Sequence, residues 1–99
     1  MKINKNVSNS IMNISLEGRL DTITAPELEN EINNAFEGIT QVNLDFASLD
    51  YISSAGLRVI LGIQKQMNKQ GGEMIIKNVC PEIMDVFEIT GFSDIMNIE

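Results

Sequence analysis

From Met12 to Glu17 apolar and polar residues alternate strictly, with Met12, Ile14 and Leu16 on one side and Asn13, Ser15 and Glu17 on the other. A period of two predicts a strand with one buried and one wet face. This strand spans Ile11 to Glu17, and Ile3 to Val7 predicts a partner joined to it at Ser8-Asn9-Ser10. The period then lengthens. Thr24-Ala25-Pro26-Glu27 reads as a capping box with proline in the first turn, and Leu28, Ile32, Ala35 and Phe36 recur at helical spacing until Gly38. Val42 to Phe46 predicts the next strand, and Gly56 to Lys69 a helix closed by Gly71-Gly72. Met74-Ile75-Ile76 predicts a short buried strand. Pro81 opens a third helix carrying Ile83, Val86 and Phe87, which Gly91 stops. The tail with Ile95, Met96 and Ile98 fits either a last helix or an edge strand.

Strands that alternate with helices imply right-handed crossovers and a mixed sheet, here of four to five strands. The polar side of the second strand implies that helices cover mainly one face. The expectation is an α/β domain with a half-open sheet. A chain of 99 residues without linker, repeat or low-complexity stretch fits one domain over residues 1–99.

Charge and composition narrow the function. The formal net charge of −7 disfavours binding to a phosphate backbone, so no nucleic-acid partner is expected, and it favours a partner with a basic patch. No segment approaches the roughly 18 apolar residues of a membrane span, so no membrane partner is expected either. Met1-Lys2-Ile3-Asn4-Lys5 lacks the apolar core of a secretory signal, and there is one cysteine, so the expected compartment is the cytoplasm. The chain has no histidine, which removes the commonest general base and metal ligand. No cofactor, no metal and no catalysis of its own are expected, and the protein is expected to be a monomer.

The most informative stretch is Tyr51-Ile52-Ser53-Ser54-Ala55-Gly56-Leu57-Arg58-Val59-Ile60-Leu61. Two hydroxyls and a glycine stand between a strand and a helix, where amide hydrogens lack intrahelical partners and the dipole is positive. A phosphate is well accommodated at such a place, so Ser54 reads as a phosphorylation switch, with Ser53 as the N-cap. At 100° per residue, Gly56 lies at the centre of a core arc with Val59, Ile60, Ile63 and Met67. Glycine there permits close approach to the sheet. Ser54, Leu57, Arg58 and Leu61 fall on another arc. Two readings of that arc are open: the leucines pack on a neighbouring helix, or they form a docking patch with Ser54 at its edge.

Ile52-Ser53-Ser54-Ala55-Gly56-Leu57 is similar to the phosphorylation motif of STAS domains of the anti-sigma factor antagonist type. Gly18-Arg19-Leu20-Asp21 resembles that family's element before the first helix. Leu44-Asp45-Phe46, Gly71-Gly72-Glu73 and Phe87-Glu88-Ile89-Thr90-Gly91-Phe92 resemble further landmarks in the same order. The resemblance implies a STAS-like fold and a binding module. Unphosphorylated, such an antagonist binds an anti-sigma factor that is also an ATP-dependent serine kinase, and so frees the sigma factor. Phosphorylation of the serine two residues before the motif glycine, here Ser54, reverses this, and a phosphoserine phosphatase restores the active form. The expected partner surface comprises Ser53, Ala55, Gly56, Leu57, Arg58 and Leu61, with Asp21 and Thr22 on the opposing rim. Many members carry Asp directly before the phosphorylated serine, where this chain has Ser53. That departure removes a local carboxylate and adds a second hydroxyl.

Rival constellations are weaker. Asp21, Asp45 and Asp50 near strand ends, with Lys77, resemble the acidic pocket of an Asp-phosphorylated receiver. However, no paired acids follow the first strand, and the chain is about two helices short of a doubly wound sheet. Asp45 and Asp50 read instead as partners of loop amides. Another alternative is a partner-switching module whose output is not a sigma factor, or a STAS scaffold in a larger assembly. A serine hydrolase lacks its base and its Gly-x-Ser-x-Gly elbow, Gly71-Gly72 is too short for a phosphate loop, and Cys80 reads as a small hydrophobe.

Overall fold

The computed structural model describes residues 1–33 and 35–99. Strand β1 (Lys2–Ser8) runs antiparallel to β2 (Ile11–Leu20), in register from Lys2 opposite Glu17 to Ser8 opposite Ile11. Helix α1 (Ala25–Ile32) leads to β3 (Gln41–Ile52), helix α2 (Ser54–Gln70) to β4 (Glu73–Lys77), and helix α3 (Pro81–Thr90) to β5 (Asn97–Ile98). The sheet order is β1-β2-β3-β4-β5, with every pair after the first parallel. Each crossover therefore steps to the next strand in the same direction. Right-handed connections that never reverse direction place every helix on the same face. The expected mixed sheet with helices on one side is what forms, with five strands.

The core lies between that face and the helices. Met12, Ile14 and Leu16 of β2 and Val42, Leu44 and Phe46 of β3 are buried, as the alternation predicts. Phe46 stacks on Phe87 of α3 with ring centroids 6.4 Å apart. The opposite face is polar: the Asn43 amide donates to Asn13 Oδ1 (2.9 Å), and Gln41 donates to Asn43 Oδ1 (2.8 Å).

Four expectations about elements need correction. β3 continues six residues beyond Phe46, because bulges against β2 break its period. The partner offset slips once between Ser15 and Glu17 and again between Gly18 and Arg19, so the buried positions become Leu49 and Ile52, three apart. β2 likewise continues to Leu20 rather than ending at Glu17.

Helix α1 ends at Ile32, with Asn33 extended at φ −61°, ψ 131°. Asparagine offers the backbone local hydrogen bonds that compete with helix, and so favours such an exit. The predicted helix position Asn34 lies outside the described residues. Ala35 and Phe36 pack on the core from the following loop rather than from the helix, and Gly38 (φ +77°) sits in that loop's turn.

The capping box does not form either. Thr24 is helical (φ −89°, ψ −20°) and its side chain caps nothing. Its hydroxyl is used one turn earlier, donating to the Arg19 carbonyl (2.7 Å) and accepting from the Asp21 N–H (2.8 Å). The tail resolves into a short 3₁₀ turn, Phe92–Asp94, and the edge strand β5.

Candidate functional site

β2 and β3 end together. Arg19 lies opposite Tyr51 and Leu20 opposite Ile52, and the Ser53 N–H donates to the Leu20 carbonyl at 2.9 Å. The turn after β2, with Asp21 and Thr22, and the turn into α2, with Ser53 and Ser54, are thereby held side by side at the carboxyl ends of parallel strands.

Ser53 adopts the extended N-cap conformation (φ −101°, ψ 175°), and its hydroxyl accepts from the Gly56 N–H at 3.3 Å. Ser54 is the first residue of α2. It is exposed, and among the described residues its hydroxyl has no partner within the chain. The two adjacent alcohols thus differ: one is occupied by the helix end, the other faces solvent beside unpaired amides. Gly56 is buried two residues further on. A β-carbon there would lie 2.7 Å from Leu20 Cγ and 2.9 Å from the Leu20 carbonyl oxygen. Only a glycine lets the start of α2 rest this closely on the end of β2.

The opposing rim is a tight turn built by Asp21. Its Oδ1 accepts from the N–H groups of Ile23 (3.0 Å) and Thr24 (3.1 Å), and Arg19 Nε stands 3.8 Å from Oδ2. The Thr24 amide, then that of Ile23, and the Arg19 charge hold the Asp21 carboxyl below its ordinary range, against partial desolvation. Thr22 and Ile23 stand exposed on this turn, Ile23 at 78%.

The predicted contact surface is therefore redistributed. Leu57 is only 5% exposed and belongs to the core, so it is not a surface residue; Gly56 is buried too. Leu61 is half-buried against the core, Ala55 is half-buried, and Arg58 is exposed. Leu57 is buried although the helical wheel sets it off the core arc, and it packs within the core cluster. The exposed apolar residue on the Asp21 turn that sequence reasoning missed is Ile23, an isoleucine with no periodic signal. Arg19 and Tyr51 were also missed as a pair. The guanidinium lies 4.1 Å from the Tyr51 ring centroid, a cation–π contact that only the β2–β3 register creates.

The acidic residues do not converge. Asp45 lies within β3, where Oδ1 accepts from the Ala47 N–H (2.9 Å) and the Asn78 amide (3.0 Å), the latter the main cause of its lowered pKa. It is opposite Lys77 and Ser15 on the open face, far along the strand from the Asp21 turn. Asp50 is exposed, and no side-chain bond to a loop amide is found for it among the described residues. No cluster of three acidic, histidine or cysteine side chains fit to hold a metal exists among the described residues. No helix in them is long and apolar enough to cross a membrane.

The STAS domain family model matches residues 2–99. The chain belongs to the STAS family. Among STAS relatives it is 36% identical to BtrV of Bordetella bronchiseptica, a candidate anti-sigma factor antagonist, over 99% of this chain and 85% of that one. It is 29% identical to the anti-sigma-B factor antagonist of Bacillus subtilis, over 99% of this chain and 92% of that one. Its fold superimposes on the phosphorylated form of SpoIIAA, a Bacillus cell-fate determinant, with TM-score 0.79 and 25% identity over 99% and 91% of the two chains.

Proposed function

We propose that this STAS protein is an anti-sigma factor antagonist whose partner choice is set by phosphorylation of Ser54. Unphosphorylated, it binds an anti-sigma factor serine kinase and releases the sigma factor; phosphorylated, it lets go. One observation carries the assignment to Ser54: Ser53 takes the capping role and leaves the next hydroxyl exposed and unpartnered at the positive end of α2. The names of its relatives and the phosphorylated form of SpoIIAA support the reading.

In this scheme the protein is a substrate rather than an enzyme. Ser54 Oγ attacks the γ-phosphorus of ATP held by the kinase, ADP departs, and the Oγ proton passes to a base on the kinase, since this chain has no histidine. A phosphoserine phosphatase returns the hydroxyl by hydrolysis. The phosphate brings about −1.5 to −2 charge at neutral pH. Within the chain that charge is tolerated: it sits at the positive end of the α2 dipole, and Arg58 is exposed one helical turn away. The penalty falls on the complex, where the dianion must be desolvated beside Ile23 and Thr22 against a nucleotide-bearing kinase. A loss of about 100-fold in affinity is expected, about 2.7 kcal/mol.

The test is incubation with candidate anti-sigma kinases of the same genome and magnesium ATP, with the phosphate located by mass spectrometry. The expected product carries one phosphate on Ser54. Ser54→Ala is expected to bind the kinase and to resist release by ATP. Phosphate on Ser53 in the unaltered protein, or normal phosphorylation of Ser54→Ala, overturns the assignment.

A further inference from the structure

On the flank of α2 that faces α1 lies an open groove of about 660 Å³. Its apolar floor is formed by Ile32, Phe36, Val59 and Ile63, and Glu29 and Glu37 stand at its rim. The wall is fixed rather than loose. The Gln70 amide donates to the carbonyls of Phe36 (2.9 Å) and Ile39 (3.0 Å), tying the loop after α1 to the end of α2.

Gly62 opens into this groove, midway along the 17-residue helix α2. Its φ is not in the left-handed region, it is exposed, and a β-carbon placed there would meet nothing within 4 Å. Gly56, on the same helix, has a steric reason to be glycine; Gly62 has none inside this chain. A glycine in a helix interior weakens the helix relative to alanine. A molecule that approaches the α2 backbone closely at this point supplies the missing reason, as small residues do wherever helices meet at short distance.

Charge selects the occupant. Residues 25–37 carry Glu27, Glu29, Glu31 and Glu37 and no lysine or arginine, and no basic residue lines the groove among the described residues. A second copy of this chain, with net charge −7, is repelled, as are anionic lipid and nucleic acid. We propose that the groove is a second protein-docking site, taking a cationic amphipathic helix of a partner protein, with an apolar side chain seated over Phe36 and Gly62 and lysine or arginine facing Glu29 and Glu37. The proposal does not rest on the reading of Ser54, which lies on a different flank of α2.

The test is titration of the isotope-labelled protein with two synthetic helical peptides, followed by amide shifts in NMR spectra. Both carry leucine at i, i+4 and i+7, one with lysine and the other with glutamate at the remaining positions. Saturable shifts centred on Val59, Gly62, Gln66 and Phe36 are expected with the lysine peptide only. Gly62→Leu is expected to weaken that binding at least tenfold, as is the double charge reversal Glu29→Lys with Glu37→Lys. Gly62→Ala is expected to raise the unfolding midpoint while weakening the peptide, a combination that a purely structural glycine does not produce. The proposal is overturned by absence of saturable shifts, by shifts centred on Glu82, Asp85 and Glu88 of α3 instead, by concentration-dependent shifts without peptide, or by unchanged affinity in both Gly62 variants.

Discussion

The two glycines of α2 allow the same substitution to be made twice in one helix with opposite expected results. In Gly56→Ala the new methyl meets Leu20 Cγ at 2.7 Å, the Leu20 carbonyl oxygen at 2.9 Å and Ile52 Cγ1 at 3.0 Å. Leu20 is fully buried, and its carbonyl accepts the Ser53 N–H, so neither neighbour can retreat without moving β2 or the helix start. Overpacking of this kind costs about 1–3 kcal/mol, offset in part by about 1 kcal/mol of improved helix propensity. The net loss is up to about 2 kcal/mol, which for a domain of this size lowers the thermal midpoint by up to roughly 15 °C. Gly62→Ala meets nothing and keeps the propensity gain alone, raising the midpoint by about 4–8 °C. Urea and thermal unfolding followed by circular dichroism read both changes. A Gly56→Ala protein stabilised as much as Gly62→Ala would refute the tight contact between α2 and β2, and with it the positioning of Ser54. A destabilised Gly62→Ala would show that the flank of α2 is not open as described.

Further outcomes follow from the same geometry. Ser53→Ala removes the α2 cap and is expected to cost about 1 kcal/mol in urea unfolding, while leaving the mass-spectrometric phosphate on Ser54. The Asp45 carboxyl is held below its ordinary value of 3.8 mainly by the Asn78 amide, so the native state binds fewer protons than the unfolded chain. Its stabilisation is complete above pH 4 or so and fades as pH falls through the lowered value; Asp45→Asn is expected to flatten that part of the acid-unfolding curve. Phe87→Ala empties the centre of the core opposite Phe46 and is expected to cost about 3–5 kcal/mol, measured by the shift in urea midpoint.

Much of the architecture is written locally. The alternation in β2, the apolar run of β4, Pro81 and Gly91 around α3 and the Gly71 cap of α2 each state their own element, because a strand face and a helix stripe are repeats within one segment. The core arc of α2 is legible because it repeats within one helix, and the Ser53 cap because four consecutive residues contain the whole interaction.

Other features depend on groups distant in the chain. The far half of β3 was hidden because two bulges against β2 shift its phase, and a bulge is a property of a pair of strands. Thr24 looks like a helix cap until the Arg19 carbonyl and Asp21 claim its hydroxyl. Leu57 resembles a non-core residue on a helical wheel and becomes core only through packing against other segments. Ile23 and the Arg19–Tyr51 stack join the Ser54 edge solely through the alignment of β2 with β3. The groove at Gly62 exists because a loop 31 to 34 residues away is hydrogen-bonded to Gln70. Periodicity reports what a residue does within its own segment, whereas competition for hydrogen bonds and for buried volume is settled between segments.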